Sequence, residues 1–424
     1  MQKYRVLSFV IIHLLIFLHI AGFGQELIGS LDFQELFHSF LRIGTINAGV
    51  IMVFIAFFTT LIFGRFFCGW ACHFGAIQEL SWVILQKLNI TPRTVNSRLV
   101  VLFPLFILLH FYIIPNLDYA LNHNWKISIV TNTPDIWAFL PGFTIGLLTF
   151  FVDGFLIVYF LGRKGFCRFL CPWGAFLKLP SALAVYKIRK VGNCSQCGTC
   201  TQNCPIGIDV SFEINNFNKV VNTNCTNCML CTDGCPTSAI KYAFTNPLKE
   251  DYQLSDFFIG DKTYKSSVIK QFFINFRVND IWLGLLSFII GFAIDGLFGM
   301  GHFLSFGIAL IISFNLLNVH VNKQVRRIIA SITFILICWA VSVKYSIKEG
   351  INAYQKKNYH STIKYLQYST SVYPNNIGKY FIYLADAYFE IGDVENAKKY
   401  TEIAFKINPQ HQSVKQLQIK ISNK

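Results

Sequence analysis

Charge is scarce in this chain. Of 424 residues only 14% are Asp, Glu, Lys or Arg, and the acidic sign is the rarer, 22 against 37. With 53% apolar residues and a mean hydropathy of +0.45, it is neither a disordered polymer nor an ordinary water-soluble globule. Phosphate-binding glycine runs are also missing. There is no G-x-x-x-x-G-K-[ST] and no G-x-G-x-x-G after a strand-like stretch, so neither nucleotide nor flavin sites stand out.

Long apolar runs take up that space. Residues 6–22, 48–66, 99–115, 142–161, 281–299, 302–319 and 328–345 each approach the roughly 20 residues that cross a bilayer as helix. The pattern predicts a mainly α, polytopic transmembrane bundle of about seven spans. The net charge of +15 follows orientation and does not indicate nucleic acid. Lys3 and Arg5, then Lys87, Arg93 and Arg98, then Arg163, Lys164 and Arg168, then Lys323, Arg326 and Arg327 all fall on one side, expected to be the cytoplasm. Glu26, Asp32, Glu35, Asp118 and Asp135 fall on the other. The first run also fits a secretory signal, whose removal leaves the remaining topology unchanged.

Thirteen cysteines are present, eight of them in two matched runs. "CSQCGTCTQNCP" from Cys194 and "CTNCMLCTDGCP" from Cys225 both read C-x2-C-x2-C-x3-C-P. This spacing wraps three thiolates around one iron–sulfur cube and sends the fourth to a neighbour. It assigns Cys194, Cys197, Cys200 and Cys235 to one [4Fe-4S] cluster and Cys225, Cys228, Cys231 and Cys204 to the other. Pro205 and Pro236 turn the chain away after each run. Zinc or disulfides are the competing uses of such thiols, but the doubled interleaved spacing and the basic flanks of a reducing compartment favour clusters. The stretches "IGIDVSFEI" and "TSAIKYAF" are expected to add short strands or a helix over them.

Four more cysteines repeat differently, in "GRFFCGWACHFGA" at Gly64 and "GRKGFCRFLCPWGA" at Gly162. The shared frame is G-R followed by C-x3-C-x2-G-A. Helical spacing puts Cys68 and Cys72, like Cys167 and Cys171, one turn apart on one face. Arg65, Arg163 and Arg168 are expected to lower their pKa values. Three uses stay open: a joint metal or redox site built from both repeats, independent reactive pairs, or buried packing. Cys72-His73 is not a c-type haem signal, because the spacing is x3. Cys338 reads as a core or lipid-facing residue.

Together these elements resemble the membrane-bound polyferredoxins. That group includes the quinol-oxidising subunit of periplasmic nitrate reductase systems, a cytochrome oxidase assembly ferredoxin and the membrane core of the nitrous oxide reductase maturation protein. The resemblance covers about residues 1–345 and implies electron transfer across or out of the membrane. Cys167, Cys171 and Pro172 match the family's C-x3-C-P, whereas His73 replaces the first proline. The loop at residues 24–47 is too short for the periplasmic flavin-binding domain of the nitrous oxide relatives.

Four segments are expected: 1–190 with the two C-x3-C elements, an inserted α+β two-cluster ferredoxin domain at 191–245, linker and further spans at 246–345, and helical repeats at 346–424. In the last, "FIYLADAYFEIGDVENAKKYTEIAFKINP" fits one tetratricopeptide unit, after a degenerate copy from Ala353. Ala385, Gly392, Ala397 and Ala404 would let its helices approach, and Tyr388 would fill the gap between them. An odd number of spans puts this segment in the periplasm, as a solvated cap or a docking module for a redox or client protein.

Asp153, His13 and His110 lie inside expected spans, where each is costly unless it faces protein or a cavity. Asp153 suits a proton acceptor for quinol oxidation, with an interhelical hydrogen bond or haem ligation by the histidines as the other uses. Asp295 is expected near an interface. The leading function is electron relay between the quinone pool and a partner, in a bacterial inner membrane, through two clusters. The competing function is an assembly factor whose C-x3-C thiols bind or reduce copper.

Overall fold

The computed structural model describes residues 2–18, 33–90, 92, 102–130, 143–245, 278–373, 378–407 and 412–422. The linker at 246–277, Arg93, Arg98, Glu26, Asp32 and Asp135 lie outside them.

A helix occupies each of the seven apolar runs: Gln2–Leu18, Ala48–Phe63, Phe103–Asn122, Gly146–Leu161, Val278–Phe298, His302–Leu317 and Lys323–Gln355. Phe103–Asn122, Asn279–Phe298 and Lys323–Gln355 are long and apolar enough to cross a membrane, while Ala48–Phe63, Gly146–Leu161 and His302–Leu317 are apolar but shorter. Length thus supports three spans of the expected seven or so. The helix of the second run ends at Phe63, short of the run's end, because it meets Gly64 in the left-handed region at φ +63°, and the helix of the fourth ends with its run at Leu161, before Gly162 at φ +93°. Leu7, Val10, Leu14 and Phe17 on the first helix, and Ile328, Ile332, Phe334 and Ile335 on the last, are exposed. Apolar faces this continuous suit a lipid environment.

The chain divides into two compact units, residues 1–285 and 286–424. In the first, strands Tyr186–Lys190 and Ile240–Phe244 pair antiparallel, with Ile188 opposite Tyr242. Helix Val210–Phe217 and the turns Thr199–Gln202 and Leu230–Asp233 pack beside them, so both stretches after the cysteine runs form the expected elements. Ile188, Ile206, Ile208, Val210, Ile214 and Val220 fill the core. Trp70, from the first C-x3-C element, belongs to the same core. Its indole donates to Asn227 O at 3.0 Å, and Asn227 Nδ2 and Tyr242 OH both donate to Phe63 O, at 2.8 and 2.7 Å. A helix-terminal carbonyl that would otherwise lack a partner is thereby satisfied. A methyl on Gly69 would fall 2.2 Å from Thr226 O, so the two backbones touch there.

In the second unit, helix Lys323–Gln355 runs without a break from the last apolar run into the first helix of the expected degenerate repeat. Gly350 admits Leu366 of helix Tyr359–Val372, where a methyl would lie 2.6 Å from Leu366 Cδ2. Helices Gly378–Glu390 and Val394–Ile407 form a hairpin that buries Ala385, Ala397 and Ala404, with Tyr388 stacked on Tyr400 at 5.5 Å. Gly392 acts otherwise than expected. Nothing lies within 4 Å of its missing side chain, and its φ of +89° shows that it shapes the turn. Trp339 Nε1 donates to Val372 O at 3.0 Å, tying the hairpins to the long helix. Asp295 is held by His302 Nδ1 at 3.1 Å and Ser305 Oγ at 3.3 Å. Cys338 is exposed on the long helix.

Gly69→Ala should destabilise the protein by ~1–3 kcal/mol, because the backbone at Thr226 must move. Gly192→Ala, whose methyl would lie 3.6 Å from Ala239 Cα, should be close to neutral. Thermal unfolding in detergent checks this; equal midpoints would contradict the packing.

Candidate metal centres

Both cysteine runs fold by the same alternation of backbone handedness. Gln196 and Gly198 flank Cys197 at φ +57° and +73°, and Asn227 and Met229 flank Cys228 at φ +47° and +61°. Alternating hand turns successive N–H groups into one concave face that suits an anionic group. Gln196 N points at Cys194 Sγ, 3.4 Å away. Holding Met229 left-handed costs about 1–2 kcal/mol, which its burial offsets.

Cys204, Cys225, Cys228 and Cys231 line one cavity, walled by Ile188, Ile206, Ile208, Val210, Val220 and Met229. The crossed-over fourth cysteine of the first run thus reaches the second, as the spacing requires. Burial pushes the Cys204 thiol up to about 11 and raises Cys225 and Cys231 further, and neighbouring thiols add to each shift. Four sulfurs in an apolar cavity suit a group whose iron supplies positive charge. In the other set, Cys200 lies close to Cys194 and also to Cys231. Cys197 is exposed, and Cys235 packs against the shared core. Among the described residues no three His, Cys, Asp or Glu side chains converge tightly enough for a single ion. A cubane, with one thiolate on each of its four irons, needs a wider set.

The remaining four thiols come together at the ends of helices Ala48–Phe63 and Gly146–Leu161. Cys68, Cys72, Cys167 and Cys171 are mutual neighbours. The expectation of one continuous helical turn within each pair is corrected. Helix Phe66–Trp70 ends at Ala71, and Cys72 caps a new helix, His73–Lys87, in extended conformation. Likewise Gly165–Phe169 ends before Cys171, which caps Pro172–Phe176 and accepts from Gly174 N at 3.3 Å. The break turns the second cysteine of each pair toward the other repeat and leaves its sulfur at a helix N-terminus.

The expected lowering of these thiol pKa values is also corrected. Burial, then Cys167 and Cys68, push Cys72 up to about 12, and burial raises Cys167 and Cys171 as well. Of the three arginines named for that role, only Arg65 reaches the site. Arg163 turns to Glu79, through Nε at 3.0 Å and through NH2, while Arg168 faces Cys204. The second cation is Lys164, which sequence spacing missed because one extra residue separates Gly162 from Cys167. Counting back from the cysteines, instead of forward from the glycines, pairs Arg65 with Lys164. Glu79 also holds Arg5 at 2.8 Å and Lys164 at 3.4 Å. Gln78 bridges the repeats, donating to Cys167 Sγ at 3.4 Å and accepting from Phe166 N at 3.1 Å. Lys178, near Arg65 and Cys171, is lowered by burial to about 8.

His73 sits beside His13 and against the Phe74 and Phe150 rings; burial, then His13, lowers it to about 4, so it is neutral at pH 7. His110 stacks on Phe106. Asp153 is fully buried, in a π-helical turn at Phe150–Leu156, and neither carboxylate oxygen has a partner.

Burial opposes ionisation of Glu79, but Lys164, Arg163 and Arg5 outweigh it and hold the carboxyl at about 2, below the ordinary 4.5. Its stabilisation is therefore complete above pH 4.5 and lost as pH falls toward 2. Glu79→Gln should cost ~3–5 kcal/mol at pH 7, since three cations lose their carboxylate, and should flatten the stability profile in that acid window. Unfolding midpoints measured across pH check this; a variant that tracks the parent at every pH would contradict it.

Comparison with known proteins follows the same division. A family model described as a 4Fe-4S binding domain matches residues 46–91 and again 143–190, and a 4Fe-4S dicluster domain matches 193–240. The chain therefore carries 4Fe-4S binding domains, and the four interrepeat thiols fall within the first two stretches. An uncharacterized protein of Methanocaldococcus jannaschii is 30% identical over 43% of this chain and 75% of its own length. The putative electron transport protein YccM of Escherichia coli is 28% identical over 40% of this chain and 49% of its own. The protein NirI of Paracoccus denitrificans is 33% identical over 35% of this chain and 22% of its own. The chain thus spans half or less of the last two. No solved structure matches. Cysteine frame, crossed cavity and a relative matched over three quarters of its length agree: the chain belongs to the membrane-associated ferredoxin-type family, the polyferredoxins.

Proposed function

We propose that this protein relays electrons between the membrane quinone pool and a redox partner, through iron–sulfur groups in two places. Cys194, Cys197, Cys200 and Cys235 hold one [4Fe-4S] cluster, and Cys204, Cys225, Cys228 and Cys231 hold a second. Cys68, Cys72, Cys167 and Cys171 hold a third group between the repeats. The carrying observation is the line of sulfur sites. It runs from exposed Cys197, through Cys200 beside Cys231, to the loop at Thr226–Cys228 that lies against Gly69 next to Cys68. When bound, such groups supply one-electron storage at each stop.

The chain's own residues do the rest. Ile188, Ile206 and Val210 keep water from the inner set, while Trp70 and Asn227 fix that set against the first repeat. Asp153, buried with both oxygens unpartnered, is suited to receive a proton released on quinol oxidation, and neutral His73 is suited to pass one on. The ferredoxin part faces the cytoplasm by the charge pattern, and the helical hairpins after residue 346, of tetratricopeptide type, serve a partner on the opposite side.

The same four interrepeat thiols also suit Cu(I), which is the reading as an assembly factor. Metal analysis of anaerobically purified protein separates the two. Three cubes give about twelve irons and twelve sulfides per chain, whereas two cubes with copper give about eight irons. In proteoliposomes, excess quinol should reduce the clusters, and Asp153→Asn should slow that reduction at least ~100-fold with iron content unchanged. Clusters that stay oxidised under excess quinol would contradict the relay.

A further inference from the structure

Two cations are buried beside the interrepeat thiols, and they are exchanged between the repeats. Arg65 is 2% exposed and Lys164 fully buried, and both are among the largest enclosed side chains of the chain. Arg65 comes from the first repeat, yet its NH2 lies 2.9 Å from where a methyl on Gly174 of the second would be. Lys164 comes from the second repeat, yet its Nζ lies 3.1 Å from where a methyl on Gly75 of the first would be, and donates to Gly75 O at 2.8 Å. The glycine of each C-x3-C-x2-G frame is thus the space that the other repeat's cation enters. Lys164 takes a left-handed backbone, φ +60°, to do so.

Burying a cation costs several kcal/mol unless it is paired. Arg65 faces no carboxylate among the described residues. Its NH1 donates to Thr223 O at 3.2 Å, its Nε has no partner, and its charge is turned to Cys68, Cys171 and Cys167. Lys164 shares Glu79 with Arg5 and Arg163, three cations to one carboxylate, and also faces Cys72 and Cys167. The counter-charge that both lack is the thiol site itself. An oxidised cubane held by four thiolates carries about two negative charges, which this pair balances. The inner ferredoxin set is different, since a carboxyl, Glu213, lies near Cys225 as well as Arg168 near Cys204.

We infer that Arg65 and Lys164 are a charge-compensating pair that stabilises the reduced form of the group at Cys68, Cys72, Cys167 and Cys171, and so sets its potential apart from those of the two ferredoxin clusters. This rests on the reading that those four thiols hold an iron–sulfur group. Each added electron makes that group more negative between two fixed positive charges, so removing either charge disfavours reduction. Both are positioning residues acting on the group's electrostatics, without themselves carrying electrons.

The test is EPR-monitored redox titration of the full chain in detergent, with the interrepeat signal identified by its loss in Cys171→Ser. Arg65→Gln and Lys164→Gln should each shift the reduced-to-oxidised ratio at that site at least tenfold toward oxidised at a given ambient potential, ~59 mV for a one-electron couple. The two ferredoxin signals should hold their midpoints. Arg65→Lys and Lys164→Arg should restore the parent midpoint. Should the neutral variants lose the group while the charge-keeping variants retain it, compensation is again supported. Neutral variants that keep the group at an unchanged midpoint overturn the inference, as does loss of the group in charge-keeping and neutral variants alike. An unsubstituted chain with iron for two clusters only and no signal sensitive to Cys171→Ser would sink the underlying reading, before any charge variant is made.

Discussion

At Gly69 the backbone of the first C-x3-C element meets the backbone around Thr226, in the second cysteine run, with no room for one methyl group. Everything proposed for the protein depends on that contact. It places Trp70 in the ferredoxin core and lets Asn227 and Tyr242 satisfy the last carbonyl of helix Ala48–Phe63. It also brings Arg65 to Thr223, two residues before Cys225. A ferredoxin domain on a flexible tether would have to find its donor by diffusion; here one loop is fixed against the membrane repeat and the other leaves Cys197 exposed.

The two C-x3-C elements then read as halves of one enclosure. Each preceding helix ends at a left-handed glycine, each chain breaks between its cysteines, and each places a cation into the other's glycine notch. Glu79 ties Arg5, Arg163 and Lys164 together, so the first helix and both repeats share one carboxylate. Such a hub fixes geometry more than it adds stability, because each buried ion carries a large desolvation cost.

Much of this was legible in the residues. The doubled C-x2-C-x2-C-x3-C-P pattern carries its crossed pairing in its spacing, and Cys204 does reach the cavity of Cys225, Cys228 and Cys231. The small residues Ala385, Ala397 and Ala404 announced a helical hairpin. What stayed hidden depends on contacts between distant parts of the chain. Helical spacing cannot show that the chain breaks at Ala71 and Leu170, since the break is imposed by the opposing repeat. The lysine counterpart of Arg65 was masked by a one-residue insertion, and nothing in the spacing around Glu79 shows that three cations from distant segments meet there. The apolar run at 48–66 continues past Gly64, where its helix ends, so run length does not by itself give helix length.

The central claim is that one electrical path joins the interrepeat thiols to the ferredoxin clusters. Low-temperature EPR of the fully reduced chain tests it most directly. The account predicts magnetic interaction between the group at Cys68, Cys72, Cys167 and Cys171 and its neighbour at Cys204, Cys225, Cys228 and Cys231, with the splitting abolished by Cys171→Ser. Simple, non-interacting spectra that Cys171→Ser leaves unaltered would contradict it.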